Sequence, residues 1–341
     1  MLKTAKTSLL LAVLLVPFIL NAQTTPKETL LALSKRDHTL SIVDPASLKI
    51  LAKVPVGNDP HEVIASSDGR TAYVSNYGFG AYNTLAVVDL VEQKPLPPVD
   101  LGPLRGPHGL FFAGGKAWFT AESAKAIGSY DPATGKVDWI LGTGQNRTHM
   151  IFVTDDLKRI ITTNVSSGTV SIIEKTEERP RGPGGPPGPP GGDWEQTVVP
   201  VGKGSEGFDV SPDGKEIWVA NAGDGTISII NVATKKVTET LAANTPGANR
   251  LKFAPDGNRV LVSSLANGSL AIFDAATRKE IKRITVGRGA AGIVMQPDGA
   301  RAFVACSPDN NVAVIDLKSL EVVGRIDVGH EPDGLAWATM H

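Results

Sequence analysis

The chain has 341 residues, with 34 Lys and Arg against 35 Asp and Glu, and 41% of its residues are hydrophobic. This near balance of charge argues against a general polyanion-binding protein, so no general nucleic-acid binding is expected. The single cysteine, Cys306, excludes a disulfide within the chain and is interpreted as a small buried apolar residue.

The first 22 residues predict a secretory signal peptide. Lys3 and Lys6 precede an apolar run at 9–20, and cleavage is expected near Ala22. The run is too short to span a bilayer, and no later segment is an apolar run long enough to do so. The pattern predicts a periplasmic or secreted protein without a membrane span. Its mature chain, 23–341, carries 32 Lys and Arg against 35 Asp and Glu, a net charge of −3.

A motif recurs about every 42 residues, and its clearest copies begin at Gly204, Gly247 and Gly289. Each copy contains apolar segments separated by Pro-Asp-Gly and by Asn-rich or Asp-Gly turns, which indicates four short strands. In the first copy these strands are predicted at 208–211, 216–220, 226–231 and 236–241. Fixed-period repeats of four antiparallel strands are typical of propeller blades.

One position, at the head of the first strand, recurs once in each unit, so its occurrences give the number of blades. It is occupied by His61, His108, His149, Glu206, Asn249, Ala291 and Asp333, in steps of 47, 41, 57, 43, 42 and 42 residues. The long step contains the Pro/Gly-rich stretch 179–192, and its removal reduces that step to 43 residues. This stretch is interpreted as an insertion between two strands of the fourth blade, either a tolerated loop or a segment that docks a partner.

The ends of the chain complete the count. The last unit, 332–338, holds only a first strand, whereas the chain begins with three strands at 29–34, 39–44 and 50–56. Pairing of the C-terminal strand with these three closes a ring without an open sheet edge. The sequence therefore predicts one all-β domain at 23–341, a seven-bladed β-propeller with four antiparallel strands per blade.

Histidines are concentrated on one arc of the predicted ring. His61, His108 and His149 come from three consecutive blades and Glu206 from the next, and side chains at the heads of innermost strands converge on the axis. Three imidazoles beside a carboxylate suit zinc, copper or iron, so these four residues form a possible site for a divalent transition metal. A polar pocket without metal and the lining of a water-filled channel are the alternatives.

Further candidate ligand-binding residues surround this arc. The aromatic loop 76–83 suits stacking on a planar or sugar-like ligand or anchoring a protein partner. Arg36 and Arg147 suit the binding of a carboxylate or phosphate group on a ligand. The candidates are Asn249 and Asp333 on the axis, and Arg36, Tyr77, Glu122 and Arg147 at the rim.

Two repeats carry a family signature. Residues 73–76 read Tyr-Val-Ser-Asn and residues 218–221 read Trp-Val-Ala-Asn, each followed by an apolar third strand, at 85–89 and 226–231. Here the chain resembles the YVTN family of seven-bladed propeller repeats, which is related to lactonase-type and haem d1-type propellers. The resemblance covers 29–338 and implies a secreted or periplasmic propeller. Its lactonase relatives imply sugar-lactone hydrolysis, and its haem relatives imply an axial histidine.

The sequence is compatible with three hypotheses for function. The sequence contains no nucleophile elbow, P-loop, dinucleotide fingerprint or haem-attachment motif. The leading hypothesis is a monomeric exported binding protein that holds a small molecule or a protein partner in its axial funnel. The second is a lactonase-like hydrolase, metal-assisted, in which the three histidines and Glu206 bind the ion or act as general base. The third is a structural envelope protein that docks a neighbour through its Pro/Gly-rich loop.

Overall fold

The structure is a computed structural model that describes residues 25–176 and 193–341. The predicted signal peptide and the insertion 179–192 lie outside the described residues. The described residues form seven four-stranded antiparallel sheets, which confirms the predicted seven-bladed propeller. Within these two ranges, no helix is both long and apolar enough to cross a membrane.

The strands are numbered in chain order, and the blades are numbered from the one that contains the first strand. The strands of blades 1 to 3 are β1 (Glu28–Ser34), β2 (Thr39–Asp44), β3 (Lys49–Pro55), then β4 (Pro60–Ala65), β5 (Thr71–Asn76), β6 (Thr84–Asp89), β7 (Lys94–Asp100), then β8 (Pro107–Ala113), β9 (Lys116–Ala121), β10 (Ala126–Asp131) and β11 (Lys136–Gly142). Those of blades 4 and 5 are β12 (Thr148–Val153), β13 (Arg159–Asn164), β14 (Thr169–Lys175), β15 (Trp194–Pro200), then β16 (Ser205–Val210), β17 (Glu216–Asn221), β18 (Thr226–Asn231) and β19 (Lys236–Leu241). Those of blades 6 and 7 are β20 (Ala248–Phe253), β21 (Arg259–Ser264), β22 (Ser269–Asp274), β23 (Glu280–Thr285), then β24 (Ala290–Met295), β25 (Arg301–Cys306), β26 (Asn311–Asp316) and β27 (Glu321–Ile326), and β28 (Pro332–Thr339) completes blade 1.

The position of a strand in its blade decides its hydrophobic pattern. The third strand β18 is buried along its middle because its two faces pack against neighbouring blades, and Ile227 and Ile229 are fully buried. The outermost strand β19 is mostly exposed. The core therefore lies between successive blades, in apolar clusters such as the one that joins Trp218 of blade 5 to Leu251 of blade 6.

The ring closes as predicted, through pairing of β28 with β1. Leu30 lies opposite Trp337 and Leu31 opposite Ala336 in this antiparallel pair. Backbone bonds extend the closure beyond the strands, since the N–H of Met340 donates to the carbonyl of Lys27 at 2.7 Å. The two ends of the chain are therefore hydrogen-bonded into the same sheet.

The structure differs from the prediction in local detail. The innermost strand β16 begins earlier than predicted, at Ser205 instead of residue 208, whereas β28 begins at Pro332 as predicted. Two short 3-10 turns, Gly78–Gly80 and Ser307–Asp309, occupy loops between second and third strands in the described part of the chain. Such loops and the connections from blade to blade lie on one face of the ring, which we call the funnel face.

Candidate functional site

A β-bulge presents two consecutive residues of each innermost strand to the axis. In blade 2, Pro60 pairs with Asn76 and Val63 with Val74, so that His61 and Glu62 together lie opposite the single residue Ser75. The other six innermost strands carry the same register shift. Bulges re-aim side chains and are common next to functional sites. The axial residue is thus the second residue of its strand, and the residue after it is also freed from the regular ladder.

Hydroxyl groups fix the axial residues of one blade to the preceding blade. Thr120 accepts a hydrogen bond from the N–H of Gly109 at 2.9 Å and donates to the carbonyl of His149 at 2.8 Å. Thr163 donates in the same way to the carbonyl of Glu206 at 2.7 Å. The backbone that carries His149 and Glu206 is therefore held by hydrogen bonds between blades.

Seven side chains meet on the funnel side of the axis and are called the hub cluster: His61, Tyr77, His108, Glu122, Arg147, His149 and Glu206. His149 lies at its centre, with Nδ1 2.5 Å from Glu122 Oε1 and Nε2 2.7 Å from Glu206 Oε2. The Arg147 guanidinium lies 3.3 Å from Glu206 and 3.6 Å from Glu122. Two carboxylates therefore bind one imidazole and one guanidinium.

The environment sets the charge of each of these groups. Burial by itself lowers the pKa of His149, but the charges of Glu206 and Glu122 and their hydrogen bonds raise it to about 8. Burial likewise favours the neutral form of Glu206, yet His149 and Arg147 lower its pKa to about 2. At neutral pH, His149 is therefore an imidazolium bound to an ionised Glu206.

His108 has the opposite protonation state. Its ring lies between the two other imidazoles, with centroids 3.8 Å from His149 and 5.1 Å from His61. Burial, and then the positive charge of His149, hold the pKa of His108 well below its usual range. Its Nδ1 is buried and has no hydrogen-bond partner among the described residues. His108 thus offers a neutral, unsatisfied ring nitrogen beside a charged cluster.

Tyr77 covers the histidines from the rim. Its hydroxyl donates to Glu122 Oε2 at 2.5 Å, and its ring lies 4.9 Å from His61 and 5.1 Å from His108. Burial, followed by the hydrogen bond to Glu122, raises the pKa of Tyr77. Tyr77 therefore remains a protonated donor that orients the carboxylate.

Three buried hub residues have the donor set of a metal site. His108, Glu122 and His149 each offer one ligand atom, and these atoms lie within 4.8 Å of one another. Of the four predicted ligands, His61 and Glu206 are outside this set: His61 packs beside His108, and Glu206 binds the Nε2 of His149. The carboxylate of this three-residue set therefore comes from Glu122, which was predicted to lie at the rim of the funnel.

The remaining predicted residues lie in other contacts. Asp333 forms an ion pair with Lys35 at 2.9 Å, and the Oδ1 of Asn249 accepts from Arg250 at 3.2 Å. Arg36 is outside the hub cluster, because its side chain is 70% exposed and lies 3.2 Å from Glu331.

A buried ion pair on the axis was not predicted. Glu62 of β4 and Arg250 of β20 bind each other across the ring, and their side chains are only 10% and 6% exposed. Both residues directly follow an axial position. The sequence does contain a signal for this pair, because Glu62 and Arg250 depart from a glycine pattern. Four of the seven residues that directly follow an axial position are glycine: Gly109, Gly207, Gly292 and Gly334.

Comparisons with known proteins support the fold. No protein-family model matches the chain, and no curated protein matches it in sequence. A functionally unknown protein from Desulfotomaculum acetoxidans is similar in structure with a TM-score of 0.73 at 15% identity, over 92% of this chain and 99% of that one. A candidate 6-phosphogluconolactonase from Bacteroides fragilis has a TM-score of 0.72 at 16% identity, over 93% and 99% of the two chains. Hydrazine synthase from Kuenenia stuttgartiensis has a TM-score of 0.68 at 18% identity, over 84% and 91%. At such identities the likeness shows that the chain shares the propeller fold of these proteins.

Proposed function

We propose that the protein is an exported binding propeller whose axial funnel holds a small molecule, anchored on the hub cluster by a divalent transition metal ion. The observation that supports this proposal best is His108. Its buried Nδ1 has no partner among the described residues, and one of its ring nitrogens lies within 4.8 Å of ligand atoms of Glu122 and His149. A buried nitrogen without a hydrogen bond costs about 1–3 kcal/mol, and a bound ion or ligand removes that cost.

The hub cluster fits the chemistry of a transition metal. Two imidazoles and one carboxylate suit zinc, copper(II) and iron(II), and three protein ligands leave coordination positions for a small molecule. With Nδ1 of His149 as the ligand, a metal ion would displace the proton on that nitrogen and its contact with Glu122. Glu206, 2.7 Å from Nε2, would then orient the ring.

The rim favours a ligand that has both a polar and a flat apolar part. The polar end would face Arg147, whose side chain is 40% exposed. The ring of Phe79 is 89% exposed and lies 6.2 Å from the ring of Tyr77, so it offers a stacking surface at the mouth of the funnel. A planar or sugar-like ring with a polar substituent combines these properties.

Metal titration tests the proposal. The mature protein, stripped with a chelator, is titrated with Zn²⁺ and Cu²⁺ by calorimetry in two buffers of different ionisation enthalpy. We expect one saturable site that releases a proton in the neutral range, because metal binding competes with the proton on His149. Binding should be lost in His108→Ala and retained in His341→Ala, which removes an exposed histidine. Equal affinity in His108→Ala and the parent protein would refute the site.

A lactonase-like hydrolase is the second candidate, favoured by the structural likeness to the candidate 6-phosphogluconolactonase. In this function His61, whose ring lies 5.1 Å from that of His108, would act as general base beside an ion held by the hub cluster. Turnover of a sugar-lactone panel should fall to background in His108→Ala and remain in His341→Ala. Metal binding without any turnover would remove the hydrolase and leave the binding protein.

We infer that the chain is exported, is cleaved near Ala22 and acts as a monomer, and its second strands favour membership of the YVTN family. Mass spectrometry of the exported protein should give a chain that begins at Gln23.

Deletion of 179–192 should leave the fold intact. Loss of association with other envelope proteins in that variant would instead favour the structural hypothesis.

A further inference from the structure

A second cavity lies on the axis, on the other side of the Glu62–Arg250 ion pair. It has a volume of about 330 Å³ and is lined by residues of six of the seven innermost strands. Glu62 and Arg250 line one end, and the other lining residues follow the hub positions along each strand toward the opposite face. The ion pair therefore separates this cavity, which we call the lower chamber, from the hub cluster.

The lining of the lower chamber is mainly apolar. Representative residues are Ile64, Phe111, Met150, Phe253, Met295 and Leu335. Two of the four methionines in the protein belong to this lining. Thioether side chains are flexible and polarisable, and they are common where an apolar site adapts to its ligand. The lower chamber thus differs in chemistry from the charged hub cluster.

The charged groups of the lower chamber are paired. Arg250 binds Glu62, and Lys252 lies 3.4 Å from Asp209. Burial opposes the charge of Arg250, but Glu62, Asp333 and Glu206 raise its pKa, so acidic groups already surround this cation. No unpaired cation or anion therefore lines the described wall, and a charged ligand would find no counter-ion there.

We propose that the lower chamber is a second ligand site, separate from the hub cluster, that binds a neutral apolar small molecule or the hydrocarbon part of one. A dry cavity of about 150 Å³ lined by apolar side chains binds benzene, and pockets for drug-sized ligands start near 300 Å³. The lower chamber is therefore large enough for two fused rings or a medium alkyl chain. Its position inside the ring excludes a folded protein surface as occupant.

Fluorescence titration with the neutral probe N-phenyl-1-naphthylamine tests this proposal. We expect saturable enhancement with one site per chain, reversed by 1-nonanol. Met295→Trp should weaken binding by at least about tenfold, because the larger ring fills the cavity. Val323→Trp is the matched control: it places the same ring on β27, the outer strand of the same blade, where Val323 is 60% exposed. This control should bind the probe like the parent protein.

Two further variants make the outcome decisive. Ile64→Trp fills the lower chamber from blade 2, so the test does not depend on the folding of a single variant. His108→Ala should bind the probe normally, which separates this site from the proposed hub site. If the parent protein gives no saturable signal, or if folded Met295→Trp or Ile64→Trp binds like the parent, the lower chamber is a water-filled channel and the proposal is wrong.

Discussion

His149 links the stability of the protein to pH, because its charge depends on two carboxylates. Its pKa of about 8 in the folded protein lies above the ordinary 6.5, so its contribution is complete below pH 6.5 and is lost as the pH rises through 8. Glu206 acts in the opposite direction. Its pKa of about 2 lies below the ordinary 4.5, and its contribution is lost as the pH falls from 4.5 toward 2.

We therefore expect the metal-free protein to lose about 2 kcal/mol of its free energy of unfolding between pH 6.5 and pH 8.5. Urea unfolding followed by circular dichroism at several pH values measures this change. His149→Gln should lack most of the decline, whereas His341→Ala should keep it. A constant free energy of unfolding across this range would contradict the assignment of His149 as an imidazolium.

The Glu62–Arg250 pair predicts a second energetic effect. Glu62→Leu leaves the guanidinium of Arg250 buried without its carboxylate, and such losses cost about 3–5 kcal/mol. Arg250→Met in the same chain removes the unpaired charge, so the double variant should recover most of that loss. Urea unfolding of both single variants and the double variant completes the cycle. Additive losses would show that the two side chains do not interact.

Single residues could be predicted only where their position repeats. Counting by period found the three hub histidines and Glu206, because all occupy the same place in successive blades. Glu122 and Tyr77 also share one place, directly after the second strand, and Lys35 occupies it in blade 1. Lys35 was not among the predicted residues, although its partner Asp333 was. The partners of each side chain depend on contacts between blades, which spacing along one chain does not give.

The innermost strands pack so closely that their second bulge residue is constrained. A Cβ added to Gly292 would lie 2.1 Å from the carbonyl oxygen of Asp333, and one added to Gly109 would lie 2.3 Å from that of His149. Glycine is required there because the backbone of the next blade occupies the space. Glu62, Met150 and Arg250 are the three exceptions to this constraint, and Glu62 and Arg250 form the ion pair that bridges the axis.

We expect Gly292→Ala to lower the free energy of unfolding by about 1–3 kcal/mol, because backbone atoms must move to admit the methyl group. Gly142→Ala is the control, since no atom lies within 4 Å of its added Cβ and its backbone needs no left-handed conformation. Thermal unfolding of both variants measures the difference. Equal melting temperatures would show that the strands can separate at no cost.

The elements themselves were easier to predict than their ends. Apolar runs and Pro-Asp-Gly turns identified the strands, since both patterns reflect local chemistry. The start of β16 was predicted three residues late because a bulge interrupts its ladder between Ser205 and Phe208. The 3-10 turn at Gly78–Gly80 was also missed: it holds Phe79 at a φ of 50° and depends on contacts with blade 3, such as the bond from Ser123 to the carbonyl of Gly80.

Closure of the ring stabilises the whole molecule. β28 lies between β1 and the axis, and most of its residues are buried. Removal of residues 332–341 would expose the edge of β1 and the apolar side chains of Leu30 and Leu31, which are fully buried in the ring. The N- and C-terminal strands therefore depend on each other although they are far apart in sequence.

We expect the variant truncated after residue 331 to lose cooperative thermal unfolding and to bind an apolar dye on exposed surface. Removal of His341 alone is the control and should leave the transition unchanged. Differential scanning calorimetry measures both. A cooperative transition at the parental temperature in the truncated protein would contradict closure by β28.

The global architecture could be predicted because each step along the chain repeats one blade. The number of blades, their strand order and the closure follow from period and from the unpaired strand at each end. The ion pairs of the hub cluster could not, because His149 of blade 4 meets Glu122 of blade 3 and Glu206 of blade 5 only in the assembled ring. The hub cluster therefore forms only when the blades that carry these residues pack side by side in the ring.

The proposed metal site of the hub cluster takes its ligands from two neighbouring blades, and anomalous diffraction tests this proposal most directly. Crystals of the mature protein grown with Zn²⁺ are measured on both sides of the zinc absorption edge. The account predicts one strong anomalous peak about 2.0–2.2 Å from ligand atoms of His108, Glu122 and His149. A hub without an anomalous peak in zinc-saturated crystals would contradict it.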